Sequence, residues 1–184
     1  MDTFMKRFSS KFREYRSQKL SPLGRFLLSL GITANRMTLL SVLFGLSAVY
    51  FLFTDHLFFV IFAVLHLIAD GLDGVIARLS TETRFGRYAD SLTDNSITLL
   101  VLLKIGWSFQ DYYAYIIAGL FLLAYLVHII SRFNAPMLFM RTILLLLLML
   151  PLHSIEVLAY LVVGVAAVYS LTLQMQYYVR MIHN

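Results

Sequence analysis

The chain has 184 residues, of which 60% are hydrophobic and 14% charged, with a formal net charge of +5 and a mean hydropathy of +0.79. That mix is too apolar for a water-soluble domain of this length and reads as a chain whose solvent is the bilayer. With no cysteine, disulfides, thiolate nucleophiles and Cys-based zinc sites are excluded, and the compartment cannot be read from redox chemistry.

Near the start, Phe4, Phe8, Phe12 and Tyr15 recur every three or four residues, with Lys6, Arg7, Lys11, Arg13 and Arg16 on the remaining faces. The pattern predicts an amphipathic helix lying in the membrane interface. Its basic residues either attract anionic lipid or only follow the preference for positive charge on the cytoplasmic side. No short apolar core with a small-residue cleavage site follows them, so the segment is expected to be retained. Ser21-Pro22-Leu23-Gly24 breaks the helix, and a short apolar run from Arg25 to Leu30 leads to Gly31. Residues 1–30 therefore read as a cytoplasmic, interfacial segment and 31–184 as one transmembrane domain, without internal repeats or a low-complexity linker.

Apolar stretches of about 20 residues, enough to cross a hydrocarbon core of roughly 30 Å, are predicted at 37–54, 57–79, 85–106, 113–133, 138–152 and 156–179. The fold class is all-α, a polytopic bundle of six transmembrane helices. Six spans place both termini on one side, and all of the 15 Lys and Arg residues except Lys104 then fall on that side. The positive-inside bias makes that side cytoplasmic. Lys104 is expected to snorkel to the outer interface. Trp107, Tyr112, Tyr113, Tyr177 and Tyr178 read as interfacial anchors, and Leu144–Leu148 as lipid-facing or packing residues.

The chemically informative stretch is Asp70-Gly-Leu-Asp73-Gly74-Val-Ile-Ala77-Arg78, followed by Gly86, Asp90 and Asp94. Asp70, Asp73 and Ala77 share one helical face at separations of three and four; Gly86, Asp90 and Asp94 share a face of the next helix at separations of four. The hairpin between them is short, so the helices are expected to pack antiparallel with four carboxylates near their cytoplasmic ends. Such groups repel one another and resist burial unless cations sit among them. Hard oxygen donors without cysteine favour Mg²⁺ or Mn²⁺, and two ions about 3.5–4 Å apart suit displacement at phosphorus. The plainer alternative is a set of helix-terminal charges at the membrane surface, which two matched sets of Asp make a poor fit.

Asp-x-x-Asp-Gly-x-x-Ala-Arg, seven residues, then Gly-x-x-x-Asp-x-x-x-Asp resembles the signature of the CDP-alcohol phosphotransferases, and Asp70, Asp73, Gly74, Ala77, Arg78, Gly86, Asp90 and Asp94 fill every fixed position. The resemblance implies transfer of a substituted phosphate from a CDP-linked donor, such as CDP-diacylglycerol or a related CDP-lipid, to the hydroxyl of a small polar alcohol, with release of CMP. It further implies that the four Asp residues surround two divalent ions, and that Asp94 is the general base. Gly74, Ala77, Arg78 and Gly86 would lie against the nucleotide, Asp70 contributing to donor binding, and the enzyme would be a homodimer. Gly31-Ile-Thr33-Ala34-Asn35 resembles a weaker family pattern, Thr-Pro-Asn before the first helix, with Ala34 in place of the proline. Thr33 and Asn35 are thus either donor-binding groups or a helix cap.

His66, one turn before Asp70, either contacts the site or hydrogen-bonds a neighbouring helix. Arg132 and Arg141 flank Asn134-Ala135-Pro136 on the carboxylate side; they either bind an acceptor phosphate or only obey topology. Asp90-Ser-Leu-Thr-Asp94-Asn lacks the Asp-Pro-x-x-Asp-Lys arrangement associated with glycerol-phosphate-using relatives. A small unphosphorylated alcohol and a phosphorylated polyol such as inositol phosphate both stay open. A metal-dependent prenyltransferase and a metal-ion carrier are the rival readings. The first generally has two well-separated Asp motifs, and the second needs charge along the whole path rather than at one end. Nothing in the pattern points to nucleic acid.

Overall fold

In the computed structural model the protein is described over residues 20–79, 84–152 and 154–183, with side chains for all of these but 84–90, 182 and 183. The regular elements there are helices: α1 over 20–29, α2 Ala34–Phe51, α3 His56–Leu79, α4 Arg84–Phe109, α5 Tyr112–Ile130, α6 Arg141–Leu148 and α7 Ile155–His183. The amphipathic stretch of residues 4–16 lies outside the described residues.

Among the described residues four helices are long and apolar enough to cross a membrane: Ala34–Phe51, His56–Leu79, Tyr112–Ile130 and Ile155–Met181. Leu39 on α2 and Val165 on α7 stand 61% and 72% exposed, large apolar side chains facing outward as lipid permits. The other two expected spans differ from these for separate reasons. The 26 residues of α4 reach about 39 Å at 1.5 Å per residue, but Arg84, Arg87, Asp90 and Asp94 dilute the hydropathy of its first turns. The eight residues of α6 cover about 12 Å, where the sequence predicts a span over 138–152. Pro136 has no N–H to continue a helix and disfavours helical backbone at Ala135, and residues 136–140 run irregularly.

Two compact units form along the chain. In the first, the described residues up to Gly45 join Phe62–Ser91. Its core is Met37, Ala69 and Ile76, with Leu27, Leu28, Ile32, Ala34, Phe44 and Leu72 packed against it. A Cβ on Gly24 of α1 would stand 2.8 Å from Leu79 Cδ1 and 3.1 Å from Val75 Cγ1, so the glycine lets α1 lie close to the end of α3 without displacing those side chains. Gly31, at φ +75°, turns the chain from α1 into α2. His66 is buried in this unit, with Nδ1 2.8 Å from the Ser41 carbonyl and 2.9 Å from Ser41 Oγ. Because a carbonyl only accepts, Nδ1 carries the proton and ties α3 to α2.

The second unit comprises Leu46–Ile61 and the chain from Leu92 onward. Here α5 packs against α7. Ile117, Ala118, Phe121 and Ala124 are buried on α5, and Ala159, Val163, Ala166 and Ala167 on α7. A Cβ on Gly164 would come within 3.0 Å of Ile117 Cδ1, the close approach that small residues allow between membrane helices. Between α5 and α6 the chain is held by side chains. His128 Nδ1 donates to the Ala135 carbonyl at 2.6 Å, Gln174 Nε2 to the Ala124 and Pro136 carbonyls at 2.9 and 3.1 Å, and the Leu138 amide to Ser170 Oγ at 3.0 Å. Irregular backbone in a membrane bundle survives where such partners replace the missing helical bonds.

Candidate active site

On α3 the two carboxylates follow one another by a single turn. Asp73 is buried and Asp70 half-buried, and their separation of three puts both on one face. Thr38, in the second turn of α2, donates its hydroxyl to Asp73 Oδ2 at 2.5 Å, with a longer 3.1 Å contact to the Ala34 carbonyl. Gly74 and Ala77 are half-buried and Arg78 is exposed at the helix end. Thr33 and Asn35 have exposed side chains. The Thr33 carbonyl accepts from the Arg36 and Met37 amides at 3.1 Å each, and Arg36 Nη1 donates to the Gly31 carbonyl at 2.9 Å. The backbone around Thr33 thus starts α2 and leaves both polar side chains facing outward.

Asp94 has a different partner. It forms a hydrogen-bonded ion pair with Arg141, whose side chain is 6% exposed against 22% for Asp94. Arg141 is the first residue of α6, directly after the backbone that His128, Ser170 and Gln174 hold in place. Arg132 is exposed at φ +54° in the turn that ends α5. Its amide donates to the Ile129 carbonyl and that of Phe133 to the His128 carbonyl, at 2.8 and 2.9 Å, the paired bonds of a Schellman cap. Two arginines that look equivalent in sequence are therefore unlike: one is buried against a signature carboxylate, the other closes a helix at the surface.

Gly86 and Asp90 lie on α4, and their side chains are outside the described set. Among the described residues no three His, Asp or Glu side chains gather closely enough to hold a metal. The donor chemistry that is described suits a hard cation. Asp70 and Asp73 offer only oxygen, one turn apart, and Asp73 is oriented by a neutral hydroxyl that does not cancel its charge.

The sequence profile of the CDP-alcohol phosphatidyltransferases matches residues 31–174, well over half of the chain. The protein belongs to the CDP-alcohol phosphatidyltransferase family. A curated relative, the archaetidylinositol phosphate synthase of Pyrococcus horikoshii, is 34% identical over 98 residues, 52% of either chain. The chain thus spans about half the length of that relative. Its long apolar helices suit a membrane-embedded member of that family.

Sequence reasoning singled out the signature Asp residues and Arg141 but left Thr38 unassigned. A signal was present: Thr38 and Ser41 are hydroxyls three apart in the apolar middle of α2, and they meet Asp73 and His66 of α3. His66 takes the interhelical role of its two readings. Lys104, expected to reach for the outer interface, donates to the Val49 and Tyr50 carbonyls at 2.6 and 2.5 Å, near the end of α2.

Proposed function

We propose that this family member transfers a phosphatidyl-type group from a CDP-lipid, CDP-diacylglycerol or an ether-linked counterpart, to a hydroxyl of inositol phosphate, releasing CMP. The observation that carries the acceptor half is the buried guanidinium of Arg141 against Asp94, a fixed cation beside the expected base and suited to an anionic polyol. The relative whose name specifies archaetidylinositol phosphate supports the same acceptor. Arg132, more exposed, is a second and weaker contact for the acceptor phosphate.

Asp70, Asp73, Asp90 and Asp94 are the residues that would hold two Mg²⁺ or Mn²⁺ ions. When bound, the metals would withdraw charge from the donor pyrophosphate and stabilise the departing CMP. Asp94 takes the proton from the acceptor hydroxyl. Thr33, Asn35, Asp70, Gly74, Ala77, Arg78 and Gly86 line the donor nucleotide, the small residues admitting it close to the backbone. Charge segregation supports six spans, with both termini and the chemistry on the cytoplasmic side. The enzyme acts as a homodimer.

The deciding experiment measures CMP release by purified protein with serine, glycerol 3-phosphate, inositol and inositol phosphate as acceptors, with and without Mg²⁺ or Mn²⁺. Inositol phosphate with metal is expected to give turnover. Activity in full chelation removes the metal reading, and preference for an uncharged alcohol removes the acceptor. For orientation, Tyr112→Cys is expected to react with a membrane-impermeant thiol reagent added outside intact cells and Ser29→Cys to stay protected; the reverse refutes the topology.

A further inference from the structure

We infer that Thr38 is a positioning residue for the metal ligand Asp73, setting the affinity of the site for its divalent cation. Its hydroxyl is the one described donor to Asp73 Oδ2, at 2.5 Å, and comes from a different helix. Asp73 is 6% exposed, so water is a poor substitute for that donor. Thr38 is itself held in place. Its neighbour Met37 is buried against Ala69 and Ile76 of α3, the pair that brackets Asp73 by about one turn on either side. One turn further along α2, Ser41 engages His66. The hydroxyl therefore arrives from a fixed direction and fixes one carboxylate oxygen, which sets how the other presents to a cation. A neutral donor does this without cancelling the charge a cation needs, as an arginine in its place would.

The inference rests on the metal-dependent reading above, and the experiment separates the two. Direct Mn²⁺ titration of purified protein, followed by the spectroscopic signal of bound Mn²⁺ per folded molecule, compares wild type, Thr38→Val, Thr38→Ala and Thr38→Ser. Thr38→Val keeps shape without the hydroxyl and is expected to weaken Mn²⁺ binding about 10-fold or more, the scale on which groups orienting metal ligands act. Thr38→Ala is expected to do the same, which guards against a valine that disturbs the helix contact. Thr38→Ser restores the donor and is expected to bind within about threefold of wild type, since the same hydrogen bond is available. Raising Mn²⁺ should recover most of kcat in the Val and Ala variants while acceptor KM stays constant. Wild-type affinity in both Val and Ala variants, or a Ser variant as weak as Val, overturns the positioning role alone. A wild-type protein with no saturable Mn²⁺ binding overturns the metal reading and the positioning role with it.

Discussion

Asp73 and Asp94 belong to one sequence signature, yet their surroundings differ in kind. Asp73 receives a hydrogen bond from a neutral hydroxyl; Asp94 is paired with a buried guanidinium. The first arrangement orients a carboxylate and leaves its charge available. The second balances the charge and ties the residue to a structural segment, so that removing either partner costs the other this ion pair. Identical residue types at regular spacing thus sit in unlike surroundings, and it is the partner that distinguishes them.

The comparison breaks most completely at Asp94. Asp94→Asn is expected to abolish CMP release while membrane insertion and helical content persist, because the amide keeps the volume and loses the proton acceptor; the thermal midpoint should fall as well, since Arg141 loses the carboxylate it is paired with. Turnover near wild type at saturating Mg²⁺ would assign the proton to another group. Asp73→Asn is expected to lower metal affinity as well as rate, and an unchanged Mn²⁺ titration curve would separate Asp73 from the metal.

Arg141→Met comes next in size. The methionine fills similar apolar volume but leaves Asp94 without its charged partner, and losing one side of a buried pair typically costs about 3–5 kcal/mol. Thermal unfolding in detergent without metal should show a large fall in midpoint, partly recovered by the double variant Arg141→Met with Asp94→Leu. No recovery in the double variant would mean that Arg141 supports the fold through other contacts. Arg132→Gly is the sharper probe of the second arginine. Glycine suits φ +54° without the strain an alanine would keep, so a rise in acceptor KM of up to roughly tenfold, with no loss of stability, isolates the guanidinium's part in phosphate binding.

How much of this was legible beforehand follows from what kind of regularity each feature has. The carboxylates on α3 and α4, and the long apolar runs of α2, α3, α5 and α7, are periodic or compositional and can be read from one chain. The shortness of α6 is not, because Leu144–Leu148 has the same apolar character as a span. What limits that helix is the irregular segment before it, held by His128, Ser170 and Gln174 from distant positions. Thr38 was hidden for a related reason: its meaning lies in a partner 35 residues away. Arg132 and Arg141 could be told apart only by burial.

The smallest expected effect is at Lys104, in the second unit, a cation outside the signature. Its ammonium donates to the Val49 and Tyr50 carbonyls and lies 5.8 Å from the Tyr50 ring centroid. These carbonyls belong to the last turn of α2, which ends at Phe51, where the final C=O groups have no partner within their own helix and the macrodipole favours positive charge. Lys104→Met keeps the apolar stem and removes the ammonium. Because the site is partly open and other donors can reach the freed carbonyls, the cost should be about 1 kcal/mol, the scale of a helix-terminal cation. That predicts a modest fall in thermal midpoint and no change in metal affinity or acceptor KM. Lys104→Arg should hold most of the stability if capping is the role. A Met variant as stable as wild type would mean that the ammonium only reaches toward the membrane surface, and a loss of turnover with stability unchanged would tie this end of the bundle to the chemistry at Asp94.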